Sequence, residues 1–263
     1  MDFTDVSIVM PCYNYGAFLP EALESVAEAA AGGAEVLVVD DGSDDEQTLQ
    51  ALENLPAWVT LIRRKKGGPA AARNSAIEIC KGKYIYPLDA DDKANLEFIK
   101  EALGALQHSA EFDVVFADRI HFGEESLHWE ARVDQSMQWY VNRIPATALY
   151  RKPLWERVGG YDEAMVEGYE DWEFWLHSMV AGARFTKAKN PAYWYRVRSQ
   201  SMVRTISVPH HQKLLAYMHS KHHSAFLKQY IGQVNALKAL QTDYRLLCKA
   251  MLSLVMRKLG LRK

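Results

Sequence analysis

Runs of valine, isoleucine and leucine alternate along the chain with segments whose apolar residues recur every three or four positions. The segments at 6–10, Glu35–Asp40 (EVLVVD), 59–64, 84–88 and 114–117 are short and largely apolar, and read as the strands of a sheet covered on both faces. Between them, 18–30 carries Leu19, Leu23 and Val26 at helical spacing, 70–79 reads as a helix entered through Gly67-Gly68-Pro69, and 96–107 reads as another. This alternation predicts an α/β fold, a mainly parallel central sheet with helices on both faces. Ligands of such sheets collect beyond the carboxyl ends of the strands, so the chemistry is expected there. After residue 120 the pattern weakens. Gly159-Gly160 reads as a turn or helix stop, and 169–180 as a helix with Trp172, Trp175, Leu176 and Met179 on one face. Segments 184–187 and 192–197 read as strands split by Asn190-Pro191, and the chain from Leu214 onward as helical.

A length of 263 residues, 49% of them hydrophobic, suits one large α/β domain with an appendage. No stretch approaches the roughly 20 apolar residues of a membrane span, and MDFTDVSIVM lacks the basic start and apolar run of a signal peptide. Cys12, Cys80 and Cys248 are too scattered for a disulfide framework or a zinc site, which points to a reducing cytoplasm. The net charge of -2 hides an asymmetry: residues 204–263 hold eleven Lys/Arg and a single acid, Asp243. Such a tail meets an anionic partner or packs on its own acidic body. Within it, 245–263 contains no acid and puts Leu247, Met251 and Leu254 on adjacent turns, an amphipathic helix with a basic polar face. That pattern fits peripheral attachment to an anionic membrane surface, on the inner face; the rival reading packs the apolar face on the body or a second subunit. No nucleic-acid partner is expected.

Carboxylates gather at the predicted strand ends. Strand one ends in Pro11-Cys12-Tyr13-Asn14, strand two in Asp40-Asp41-Gly42-Ser43, and strand four in Asp89-Ala90-Asp91-Asp92. Neighbouring strand ends share one crevice, where so many acids would repel. A divalent cation is the simplest compensation, and oxygen ligands favour Mg2+ or Mn2+. Some of these acids can instead cap the following helices, Asp92 above all.

Taken in order, VSIVMPCYNYGAFLPEALESV, EVLVVDDGSDDEQTL and GGPAAARNSAIEICKGKYIYPLDADD, followed by LYRKPLWERVGGYDE, YEDWEFWL and YRVRSQSM, resemble the family 2 glycosyltransferases over roughly residues 5–203. The resemblance implies a GT-A fold, with a nucleotide-sugar half (1–118), an acceptor half (119–203) and a basic helical extension (204–263). It implies an inverting, metal-dependent hexosyltransferase that moves a sugar from a nucleotide-diphosphate donor, by family a UDP-sugar, to a hydroxyl of a glycan or lipid-linked acceptor in cell-surface polysaccharide synthesis. Residue by residue, it implies that Pro11 and Tyr13 line the nucleobase site and that Asp41 accepts hydrogen bonds from the base. Arg73 reaches the nucleotide. Asp89 and Asp91 match the DXD motif, Asp89 near the ribose and Asp91 holding the metal on the diphosphate. Asp171 matches the catalytic base, although acids in a first helical turn also serve the helix dipole. Trp172 and Trp175 are either core residues or a platform for a sugar ring. One position departs from the family pattern. Two residues after Arg196, where a histidine is common, stands Arg198. Arginine cannot ligate a metal but can contact phosphate oxygens, so free metal should bind weakly. The alternative function is a non-catalytic nucleotide-sugar-binding assembly subunit. A nucleotidyltransferase would need a Gly-rich loop after strand one, and neither a P-loop nor a Rossmann glycine fingerprint occurs.

Overall fold

The computed structural model describes residues 2–134, 137–199 and 207–258; in the last helix the side chains described are those of 223–246, 251 and 252. A seven-stranded sheet forms the centre, in the order β10-β6-β9-β4-β1-β2-β3. Its strands are β1 (Val6–Cys12), β2 (Glu35–Asp40), β3 (Val59–Arg63), β4 (Tyr84–Pro87), β6 (Val114–Phe116), β9 (Leu149–Arg151) and β10 (Phe185–Lys187). β1 pairs in parallel with β2 and β4, and β2 with β3. The two-residue period of a strand sends its side chains to opposite layers. Val6, Ile8, Met10 and Cys12 enter one core, and Val9 enters the other. Helices α1 (Leu19–Ala31) and α4 (Leu96–His108) fill the first layer, and α3 (Pro69–Ile79), α5 (Lys152–Val158) and α6 (Glu170–Val180) the second. A short helix, α2 (Glu46–Glu53), follows β2 and is capped by Asp45, which accepts from Thr48 N.

Two features are absent from the hydrophobic pattern. β9 lies antiparallel between β4 and β6, so the sheet is mixed in its second half. Three residues are too few to show a period. A second sheet, β5-β11-β7-β8, is built from β5 (Lys93–Ala94), β7 (Arg119–Gly123), β8 (Leu127–Trp129) and β11 (Tyr193–Val197). β5 pairs antiparallel with β11 directly after the Asp89–Asp92 segment, which brings the chain that follows β11 against those acids.

Contacts divide the chain into Met1–Met218 and His219–Lys263. Helix α7 (Val208–Lys221) begins in the first unit, and α8 (His223–Lys258) makes up nearly all of the second. α8 leaves Leu237, Leu240 and Tyr244 exposed. The side chains of Leu247 and Leu254, and the expected 203/204 boundary, lie outside the described residues. Among the described residues, no helix is long and apolar enough to cross a membrane.

Candidate active site

The carboxyl ends of β1, β2 and β4 converge as the alternation predicts. Asn14, held at φ 57, ties the first two loops: its Nδ2 donates to Asp44 Oδ1 at 2.7 Å, and its Oδ1 accepts from Asp44 N at 3.0 Å. Pro11 is buried within β1, and the Tyr13 ring lies under the Lys66 ammonium, 3.8 Å from the ring centroid. Asp41 is buried, and its carboxylate organises the loop before α3. It accepts from Arg64 Nη1 at 2.7 Å, Gly67 N at 3.0 Å and Gly68 N at 2.7 Å. A Cβ at Gly67 would sit 2.7 Å from the Arg64 guanidinium, which would have to shift from Asp41 to make room. Gly68 turns the chain at φ 89 into Pro69, the first residue of α3.

α3 carries Arg73 into the crevice. This guanidinium is almost fully buried and bridges two carboxylates, donating to Asp89 Oδ1 at 2.7 Å and to Glu170 Oε1 at 2.6 Å. A single buried cation therefore joins the end of β4 to the start of α6. Asp91, two residues on, pairs with Arg198 at 2.6 Å. Asp92 does not cap α4; Asn95 does, accepting from Glu97 N. Asp92 instead turns inward, fully buried, and accepts from Arg196 N at 2.7 Å. Burial and the neighbouring Asp89 push the Asp91 carboxyl up, with Arg198 opposing. Burial and the charges of Asp91 and Asp89 push Asp92 well up.

α6 delivers Asp171. The helix follows Gly168 at φ 115 and Tyr169 at φ 65, a left-handed corner that turns its first residues toward the crevice. Asp171 is half-buried and accepts from Asn142 Nδ2 at 3.1 Å. Burial and the adjacent Glu170 charge push its carboxyl up to about 7, against the opposing pull of Arg73. A carboxylate poised there ionises near neutral pH while staying basic enough to take a proton. Trp172 and Trp175 are core residues, donating to the carbonyls of Gln138 at 2.6 Å and Pro145 at 3.1 Å, and neither offers a face to a sugar.

The family model described as Glycosyl transferase family 2 matches residues 7–164, more than half of the chain. The chain belongs to this family. It is 26% identical to the glycosyltransferase GlyG of Streptococcus pneumoniae over 76% of its own length and 73% of that protein's. It is 25% identical to the poly(ribitol-phosphate) beta-N-acetylglucosaminyltransferase TarS of Staphylococcus aureus, over 74% of this chain but only 36% of TarS. The succinoglycan biosynthesis protein ExoO of Rhizobium meliloti is 28% identical, with 86% of this chain and 69% of that protein covered. Two solved structures show the same GT-A fold. One is a TarS fragment in complex with UDP-GlcNAc: TM-score 0.66, 22% identity, 83% of this chain and 66% of that one. The other is the mannosyltransferase PcManGT of Pyrobaculum calidifontis in complex with GDP-Man and Mn2+: TM-score 0.58, 20% identity, 76% and 60% covered.

The crevice of this family 2 glycosyltransferase fits a divalent ion. Asp89 and Asp91 each spend one oxygen on an arginine, and a carboxylate has two. The acids of the site outnumber its guanidiniums, and burial, followed by the neighbouring carboxylates, pushes Asp91 and Asp92 up. The donors are hard oxygens, which suit Mg2+ or Mn2+. The crowding expected from the sequence is thus met in part by arginines. Three contributors carry no sequence signal of their own: Arg64, which holds Asp41; Glu170, which holds Arg73; and Asn142, which bonds Asp171. Each becomes visible only once distant segments meet.

Proposed function

We propose that this chain transfers one sugar from a nucleoside-diphosphate sugar, of the uridine type, to a hydroxyl of a glycan or lipid-linked acceptor, with inversion and in cell-surface polysaccharide synthesis. The observation that carries the reading is Asp171, pushed up to about 7 and joined to the Asp89-Ala90-Asp91 segment through Glu170 and the buried Arg73. This linkage fixes a base relative to a diphosphate site, as a two-substrate displacement requires. The uridine donor draws support from TarS, named as an N-acetylglucosaminyltransferase and solved as a fragment with UDP-GlcNAc, whereas PcManGT was solved with GDP-Man.

In this mechanism Pro11 and Tyr13 line the base, with Lys66 beside the ring. Asp41 supports that site chiefly by fixing the Gly67-Gly68 turn, and Arg73 holds Asp89 at the ribose. Asp91, with Asp89 nearby, would hold the divalent ion, which stabilises negative charge on the leaving diphosphate. Asp171 accepts the proton of the acceptor hydroxyl as that oxygen bonds to the anomeric carbon. On the opposite face the bond from that carbon to the phosphate oxygen breaks, and its electron pair leaves with the nucleoside diphosphate. One displacement inverts the centre. Asn142 keeps the carboxylate oriented between turnovers. The basic tail suits an anionic membrane, where lipid-linked acceptors would be found. The test is turnover: purified protein with Mn2+, a panel of UDP-sugars and a glycan or lipid-linked acceptor should release UDP with formation of a glycosylated product. Donor binding without product from any acceptor class would favour the assembly-subunit reading.

A further inference from the structure

Arg198 stands at the centre of the site, yet the mechanism above leaves it without a task. It follows β11, and its Nη2 lies 2.6 Å from Asp91 Oδ2. Its guanidinium packs over the rings of Tyr15 and Phe18, 4.7 and 4.9 Å from the centroids. The neighbouring Arg196 anchors the strand: it donates from its backbone N to Asp92 Oδ1 at 2.7 Å, from Nε to Asp91 O at 2.8 Å, and from Nη2 to Glu21. Arg196 thus fixes the backbone against the Asp91-Asp92 segment. The placement of Arg198 on the Asp91 carboxylate is a separate feature, with its side chain still 24% exposed.

We infer that Arg198 is a built-in competitor of the divalent cation: it occupies Asp91 until the diphosphate of a bound donor draws it away. The inference rests on the nucleotide-sugar reading of the site. The guanidinium leaves the metal chiefly the other oxygen of Asp91, and its permanent positive charge repels an arriving cation. A diphosphate reverses both effects. It gives the planar fork of Arg198 a second set of oxygens that it matches well, and it supplies ligands to the metal. Metal and nucleotide then assist one another, and by reciprocity each raises the affinity of the other by the same factor. The Tyr15 and Phe18 faces give the guanidinium a surface on which to shift without losing its packing.

The test measures metal binding rather than turnover. Mn2+ affinity, from the electron paramagnetic resonance signal of free Mn2+, is titrated for the intact protein and for Arg198→Gln and Arg198→Lys, with and without UDP. The intact protein should bind Mn2+ weakly alone and more tightly with UDP. Arg198→Gln should bind Mn2+ alone about tenfold more tightly, in the usual range of such couplings, and UDP should enhance it less. Metal-free binding of UDP should weaken in the same variant. Arg198→Lys keeps the charge and should stay close to the intact protein in binding Mn2+ alone. The inference is overturned if Arg198→Gln binds Mn2+ no more tightly than the intact protein, or if the lysine variant gains as much as the glutamine one. Melting temperatures near that of the intact protein establish that both variants are folded. If the intact protein binds no UDP at any Mn2+ concentration, the nucleotide-sugar reading fails. If it does bind UDP and Arg198→Gln changes nothing, only the role of Arg198 fails.

Discussion

Replacing Arg73 by methionine tests whether one buried guanidinium ties the two halves of the site together. Methionine keeps much of the aliphatic volume and removes the charge. Glu170, with a side chain 9% exposed, then loses a partner at 2.6 Å. Asp89, 34% exposed, loses one at 2.7 Å but is reached by water, so it adds little. Breaking a buried pair by deleting one partner costs about 3–5 kcal/mol, because the other charge stays desolvated. At about 2–4 °C per kcal/mol for a body of this size, the melting temperature should fall by roughly 6–20 °C. The companion change Glu170→Gln removes the stranded charge, so the double variant should recover most of the loss, where independent sites would simply add. Differential scanning calorimetry of the intact protein, both single variants and the double variant provides the cycle. A fall of less than about 2 °C for Arg73→Met, or strict additivity in the double variant, would refute the linkage.

The remaining expectations concern the chemistry and the tail. Asp171 must be ionised to act as base, and its carboxyl is pushed up to about 7. With saturating donor, kcat/KM for the acceptor should therefore rise with pH through that value and level off above it; a flat profile on both sides of neutrality contradicts the assignment. Asp91→Asn should abolish transfer and weaken diphosphate binding while the protein stays folded, and undiminished activity in excess chelator would sink the metal-dependent route. Removal of 245–263 should leave UDP-sugar binding unchanged and lower flotation with anionic vesicles, an effect that raised salt should mimic, since each basic residue at such a surface contributes about 1 kcal/mol, screened by salt. Absence of flotation by the untruncated chain at low salt rules out the membrane role.

Local pattern made the first half of the fold legible. β1, β2 and β4 are largely apolar runs, because a strand covered on both faces has little polar side to display, whereas β3, at the sheet edge, carries Thr60 and Arg63 and is only partly buried. The helices between them announce themselves by spacing and by Gly67-Gly68-Pro69. The second half was read only in outline. β9 and β8 have three residues each, β5 has two, and their pairing is set by partners far away in sequence. The site divides along the same line. The acids at strand ends could be placed by topology alone, and the resemblance supplied roles for Asp89, Asp91 and Asp171. Compensation of those acids by Arg64, Arg73 and Arg198 was not legible, since a lone arginine on a helix or after a strand looks like a solvated surface residue. A helix cap was one reading open to Asp92, and Asn95 takes that place instead. Asp92 is buried because β5 and β11 close over it, a contact made across 104 residues.

The most direct test of Asp171 as the catalytic base is Asp171→Asn, with donor affinity and turnover measured on the same preparation. Asparagine keeps the shape and can still accept from Asn142, but it cannot take a proton at neutral pH. The dissociation constant for the UDP-sugar in Mn2+ should stay close to that of the intact protein, with kcat lowered by roughly the 10²–10⁴-fold of a lost general base. Loss of donor affinity would place Asp171 in the nucleotide site or the scaffold. Undiminished turnover would remove it from the chemistry.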